Sequence, residues 1–245
     1  MTALPRPIVV AIAAAWAAAL AAQVAGAAAL LHHDVLLEGG PPPAVAAVAF
    51  LLAWQVMIAA MMLPSSLPLV RLYSAATVRA PARGRSMAAF VGGYALIWSA
   101  FGLLAFGLDA ALHAAVDASP WLHRHEWAIG GAVLALAGAF QFTSMKDACL
   151  DRCRHPGQFL MRFYERGPAG GFRLGARHGA FCLGCCWALM LVMFAAGVAS
   201  LLWMAALTAL MVYEKTRPSG ARAVPVTGAA LLAAASVVLA YGAAA

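Results

Sequence analysis

Stretches of about twenty apolar residues recur along this chain, separated by short segments rich in arginine, histidine, glycine or proline. A helix needs about 20 predominantly apolar residues to cross the hydrocarbon core of a bilayer. The stretches that answer to this are Ile8 to Leu31, Ala44 to Leu69, Met87 to Leu108, Trp127 to Met145 and Val224 to Ala244. The first has leader-like features, with Arg6 before it and Ala25-Gly26-Ala27 as a small-residue site. Its apolar run exceeds the roughly 7–15 residues of a cleaved leader, so it reads as a retained helix. The segment 179–213 is long for one span and tight for two. As one straight helix it would reach ~52 Å at ~1.5 Å per residue, well beyond a ~30 Å hydrocarbon core. A turn near Gly197–Ser200 divides it into two short spans.

Composition narrows the class. Hydrophobic residues make up 64% of the chain and charged residues 10%, with a mean hydropathy of +0.86. A soluble domain carries about 25% charged residues, so this chain has too little polar surface for a water-soluble fold. It is also too apolar for disorder. The expectation is an all-α, polytopic transmembrane helix bundle forming one integral membrane domain over residues 1–245, multi-pass in a bacterial inner membrane with the lipid bilayer as first partner.

Charge then sets topology. The net charge of +7 would hint at nucleic acid in a soluble protein, but no nucleic-acid-binding motif is present and the basic residues fall between spans. Cytoplasmic loops carry the excess of Lys and Arg. With the N-terminus inside and a hairpin at 179–213, Arg124 is the one basic residue outside. Arg6, Arg71, Arg79, Arg83, Arg85, Lys146, Arg152, Arg154, Arg162, Arg166, Arg173, Arg177, Lys215, Arg217 and Arg222 all fall inside. A single helix would export the last three. The pattern therefore favours about seven spans, or six if 179–213 is one helix. His32, His33, His113, His123 and His125 fall outside, beside Asp34, Glu38, Asp109, Asp117 and Glu126. These form a weaker candidate for an outer metal site. In the loop from Lys146 to Arg177, Phe159, Leu160, Phe163 and Tyr164 alternate with Arg162 and Arg166, which suits a short helix at an anionic leaflet. Gly167 to Gly175 reads as a flexible connection, without the Gly-Lys-Ser/Thr ending of a phosphate loop.

Candidate chemistry lies in the cysteines. All 5 fall in two groups, Cys149-Leu-Asp-Arg-Cys153 and Cys182-Leu-Gly-Cys185-Cys186. The topology places both at one membrane depth, the first past the inner end of span four and the second at the inner start of span five. Cys149 with Cys153, and Cys182 with Cys186, share helix faces at i,i+4 spacing. Arg152, Arg154 and Arg177 flank them, and a helix N-terminus at span five would add partial positive charge, an environment that suits thiolates. Soft thiolates favour Cu(I), zinc or iron–sulfur clusters. His178, one turn before Cys182, is a candidate nitrogen ligand. Met61, Met62, Met145 and Met190 are weaker thioether candidates, and thioethers argue for copper over zinc. A structural disulfide does not suit a reducing compartment. Adjacent Glu214 and Lys215 read by default as an ion pair or snorkelling pair at the inner interface. Pro64 reads as a kink, and the tryptophans as divided between interface anchors and packing.

These residues resemble a bacterial family of predicted metal-binding integral membrane proteins, a domain of unknown function. The resemblance rests on Met61-Met62-Leu63-Pro64, Gln141-Phe142-Thr143 before Lys146, and Cys149-Leu-Asp-Arg-Cys153-Arg154-His155-Pro156. It continues through His178-Gly179, Cys182-Leu-Gly184-Cys185-Cys186-Trp187-Ala-Leu-Met190, Trp203-Met204 and Glu214-Lys215. It spans about residues 45 to 217, and Cys-x-Gly-Cys-Cys-Trp is its most specific element. Val198, Ala199 and Ser200 depart from the methionine and asparagine that often stand at that corner. The resemblance implies metal binding, with copper handling often suggested.

Three functions remain in play. The first is a protein that holds or transfers Cu(I) through cytoplasmic-face cysteines, with a copper-dependent membrane enzyme or a metal donor protein as partner. The second is a membrane thiol/quinone redox protein. The third is a scaffold with a structural zinc clip. No triad or phosphate loop supports hydrolase or kinase chemistry.

Overall fold

The computed structural model describes residues 5–26, 42–196 and 200–244, and all regular structure among them is helical. In chain order the helices are α1 (Arg6–Val24), α2 (Pro43–Ala76), α3 (Arg83–Ala118), α4 (Pro120–Arg124) and α5 (Glu126–Phe140). They continue as α6 (Ser144–Arg154), α7 (Pro156–Phe163), α8 (Gly167–Ala196), α9 (Leu201–Thr216) and α10 (Gly220–Ala244). Five of them are long and apolar enough to cross a membrane, and six if α5 and α6 count as one broken span. Apolar side chains such as Leu52, Leu96, Leu104 and Val226 stand exposed on the outer faces, as contact with lipid requires. The outer-site candidates His32, His33, Asp34 and Glu38, and the corner residues Gly197, Val198 and Ala199, lie outside the described residues.

The expected sixth span, the second arm of the hairpin, is α9. It has 16 residues, about 24 Å at ~1.5 Å per residue, too short to cross on its own. It folds back along α8, so that Lys215 near its end returns to the level of Cys182, as the hairpin reading of 179–213 expects. The fourth expected span also differs. α5 stops at Phe140, and α6 leaves it at an angle of 64°. Thr143 makes the break: its hydroxyl donates to the Phe140 carbonyl and accepts from the Lys146 amide, capping α6. The cap satisfies an amide that the start of a helix would otherwise leave unpaired.

The glycine stretch at 167–175 is no flexible connection. It forms the first turns of α8, entered through Gly167 at φ +81°. Gly171, Gly175 and Gly179 recur every fourth residue and lay one face of α8 against α3. A Cβ at Gly171 would meet the Ser86 carbonyl, at Gly175 the Phe90 carbonyl and at Gly179 the Tyr94 carbonyl. Successive glycines match successive turns, so α3 and α8 run parallel, packed backbone to backbone as small-residue spacing permits. Gly175→Ala is expected to destabilise the bundle by roughly 1–3 kcal/mol through overpacking, read as a fall in the thermal midpoint in detergent. Gly84→Ala, where nothing stands within 4 Å of the new Cβ, is the control and is expected not to lower it.

α2 runs antiparallel to both: Trp54 donates to the Trp98 carbonyl of α3 (2.8 Å), and Ser66 meets His178 of α8 (3.0 Å). Pro64 cannot donate to the carbonyl four residues back. That carbonyl, of Ala60, accepts instead from the Trp16 indole of α1 at 3.0 Å. The proline thereby ties α1 to the bundle. α5 and α10 pack antiparallel through Gly131, Gly138, Gly228 and Gly242.

Candidate metal centre

The longest helices meet around sulfur. Cys182, Cys185 and Cys186 of α8, Cys153 of α6, and Met57, Met61, Met62, Met190, Met193, Met204 and Met211 are all buried in one apolar cluster. α8 begins at Gly167, so Cys182 lies about four turns into it. This corrects the expectation of a helix N-terminus at the cysteines, because the dipole acts only within the first turn. The three α8 thiols also do not line a surface. They sit within the bundle, deeper than Arg177 on the same helix.

α8 presents its thiols on two faces. On the face toward α2, α3 and α9, the Cys186 sulfur lies 3.8 Å from the Met62 sulfur. The Cys182 sulfur lies 3.2 Å from the Tyr94 hydroxyl. The Lys215 ammonium reaches across from α9 to 3.1 Å from Cys182 and 3.8 Å from Cys186, and donates to the Ser65 hydroxyl at 3.2 Å. On the face toward α6, the Cys185 and Cys153 sulfurs are 4.0 Å apart. The Cys149 sulfur covers Gly184, where an added Cβ would stand 2.6 Å from it. As thiols, Cys185 and Cys186 donate back to the Cys182 carbonyl at 3.0 and 2.8 Å. The sulfurs therefore meet in pairs, and among the described residues no three His, Cys, Asp or Glu side chains stand in ready-made ligand geometry. A metal ion would have to draw these side chains together.

Two sequence candidates stand apart. The His178 Nε2 is 3.0 Å from the Ser66 hydroxyl, and its ring stacks on Tyr94 and Phe90, so its contacts are with these groups. Met145 is 50% exposed and outside the cluster. Met190 is buried one turn beyond Cys186, and Met61 beside Met62.

Glu214 and Lys215 are both buried, and neither snorkels nor pairs with the other. Glu214 binds Lys146 of α6 at 2.7 Å, with 0% and 1% of the two side chains exposed. Lys215 turns to Ser65 and the sulfurs. Adjacent helical residues point about 100° apart, and here the two meet different partners. Arg154 reinforces the junction by donating to the carbonyls of Glu214 (2.5 Å) and Pro218 (3.0 Å). Lys215, Tyr94 and Ser65 went unrecognised as part of this site in sequence. The one signal available was a charged pair at the end of an apolar run.

Fold and site together define an all-helical protein, with helices able to cross a membrane and an interior organised around soft sulfur donors and buried lysines. The chain belongs to the PpoB2 family, described as copper chaperone, whose model matches residues 51–238. The match takes in every cysteine and all the methionines of the cluster. No curated protein and no solved structure matches the chain.

Proposed function

We propose that this is a multi-pass protein of a bacterial inner membrane that holds Cu(I) on its buried thiols. It would pass the ion to a copper-dependent membrane enzyme or receive it from a metal donor protein. The observation that carries this reading is the contact of Cys182 and Cys186 with Lys215 and the Met62 thioether. Thiolate and thioether are the donors Cu(I) prefers. Two thiolates around one Cu(I) carry a net negative charge, and a buried charge needs a partner. Lys215 supplies it, since Glu214 is already engaged by Lys146. Zinc would want four ligands in a closed tetrahedron, and His178, the nitrogen candidate, is held by Ser66. The basic ends of α2, α3 and α8, with Arg71, Arg79, Arg83, Arg173 and Arg177, would face the cytoplasm.

The test is anaerobic loading of the reduced, detergent-purified protein with Cu(I) or Zn(II), followed by gel filtration and elemental analysis. Near-stoichiometric copper with little zinc is expected. Zinc retention with no copper would favour a structural clip, and retention of neither would end the metal reading. One observation favours a thiol redox role: the 4.0 Å approach of Cys153 and Cys185, which a modest rotation would bring toward the ~2.05 Å of a disulfide. Copper-free protein that forms this disulfide and is re-reduced by a quinol would support it.

A further inference from the structure

The five thiols differ in depth as well as in face. Cys182, Cys185 and Cys186 are 0–1% exposed, Cys153 is 8% exposed, and Cys149 is only partly buried. The helix that carries the two shallower thiols is unlike its neighbours. α6 is polar, and Asp147, Asp151 and Arg152 stand exposed on its outer side, so the end of the series opens toward water rather than lipid. Cys185 lies between the two sets: it shares α8 with Cys182 and Cys186 and meets Cys153 of α6.

We infer that the thiols form two subsites back to back on α8. Cys182 and Cys186, with Met62 and Lys215, retain Cu(I). Cys185, Cys153 and Cys149 form a graded exchange port through which a carrier bearing its own thiolates loads or removes the ion. This rests on the reading of the site as a Cu(I) site and assigns the route by which the ion moves. Each step is a ligand exchange. A bond from copper to Cys185 forms as that to Cys186 breaks, Cys153 and Cys149 repeat the substitution outward, and the carrier's sulfur takes the last place. Copper stays Cu(I) throughout and no electron is transferred. Low-coordinate Cu(I) suits such a path, because an incoming sulfur can bind before the outgoing one leaves. The pairwise spacing of the sulfurs, in place of one closed cage, is the geometry it needs.

The port and a single five-thiol site predict opposite signs for one measurement. Cu(I)-loaded wild type and the Cys149→Ser/Cys153→Ser variant would be challenged in detergent with bathocuproine disulfonate, a charged Cu(I) chelator, and copper loss followed by absorbance. The port predicts that the variant, loaded during expression, carries as much copper as wild type and releases it about tenfold more slowly or slower still, tenfold corresponding to ~1.4 kcal/mol on the release barrier. Lower occupancy or faster release would show that the outer thiols are retaining ligands and overturn the proposal. Unchanged release would overturn it too, since the ion would then leave elsewhere. Cys149→Ser alone, at a partly buried position that tolerates a hydroxyl, gives the same test should the double variant not fold. A wild type that takes up no Cu(I) would overturn the underlying reading, a result distinct from any of these.

Discussion

Replacing Cys182, Cys185 and Cys186 together by serine is expected to reduce copper from near-stoichiometric to background after anaerobic Cu(I) loading. The effect is large because one helix supplies both retaining thiolates, Cys182 and Cys186, and the first exchange thiol, Cys185. Serine keeps the volume but exchanges a soft sulfur for a hard oxygen, which Cu(I) binds poorly. What remains is Met62, a neutral donor, and Lys215, a cation now repelling the ion with no thiolate between them. A loss of two strong ligands corresponds to at least about a 100-fold fall in affinity, or ~2.8 kcal/mol. Elemental analysis and chelator competition would read it, with a monodisperse elution profile confirming the fold. Met145→Leu is the matched control: Met145 is exposed and outside the cluster, so this variant is expected to keep its copper. A serine variant that retains copper would place the ion outside the three α8 cysteines.

The second large effect is expected at the buried Lys146–Glu214 pair. Both side chains lie within the protein, at 0% and 1% exposure. Removing one partner leaves a charge with no water to solvate it. Lys146→Met or Glu214→Met alone is therefore expected to destabilise the protein by about 3–5 kcal/mol, seen as a lowered thermal midpoint in detergent. Replacing both should recover most of the loss, because two well-packed apolar side chains substitute for a buried pair at little cost. One oxygen of Glu214 has no hydrogen-bond partner among the described residues, which strengthens the expectation of recovery. The two single variants should differ in metal retention. Without Lys146, the Glu214 carboxylate is left to draw Lys215 away from Cys182, and copper should be held more weakly. Without Glu214, Lys215 keeps its place at the sulfurs. Equal copper retention in the two would argue against the placement of Lys215 as the counter-charge of the site.

The same residues show how far sequence reading reaches. Helical spans were legible because the bilayer imposes a length and polarity rule on any chain that crosses it, and Leu52, Leu96 and Leu104 face outward as that rule requires. The membership of the cysteine groups was legible too, since five thiols in two short motifs need no partner helix to be noticed. Their environment was not. Gly171 and Gly175 read as a loose connection because glycine is a poor helix former, and only the approach of the α3 backbone makes their missing side chains an advantage. Moving the start of α8 back to Gly167 carried the cysteines into the bundle and removed the helix-end charge expected beside them.

Charge partners were lost for a related reason. Glu214 and Lys215 are neighbours in the chain and so invite pairing on paper, yet helix geometry points them apart, one to Lys146 of α6 and the other to Cys182 and Ser65. His178 suggests a ligand by its spacing from Cys182, but Ser66 of α2 and the rings of Phe90 and Tyr94 hold it elsewhere. What the amino-acid sequence determined by itself was local and solvent-driven: helical class, approximate spans, the basic end and the supply of sulfur. What only the tertiary structure decided was which donor meets which charge, because those contacts join α2, α3, α6, α8 and α9. Their relative rotation is set by close packing between helices, and no single helix carries that information in its own periodicity.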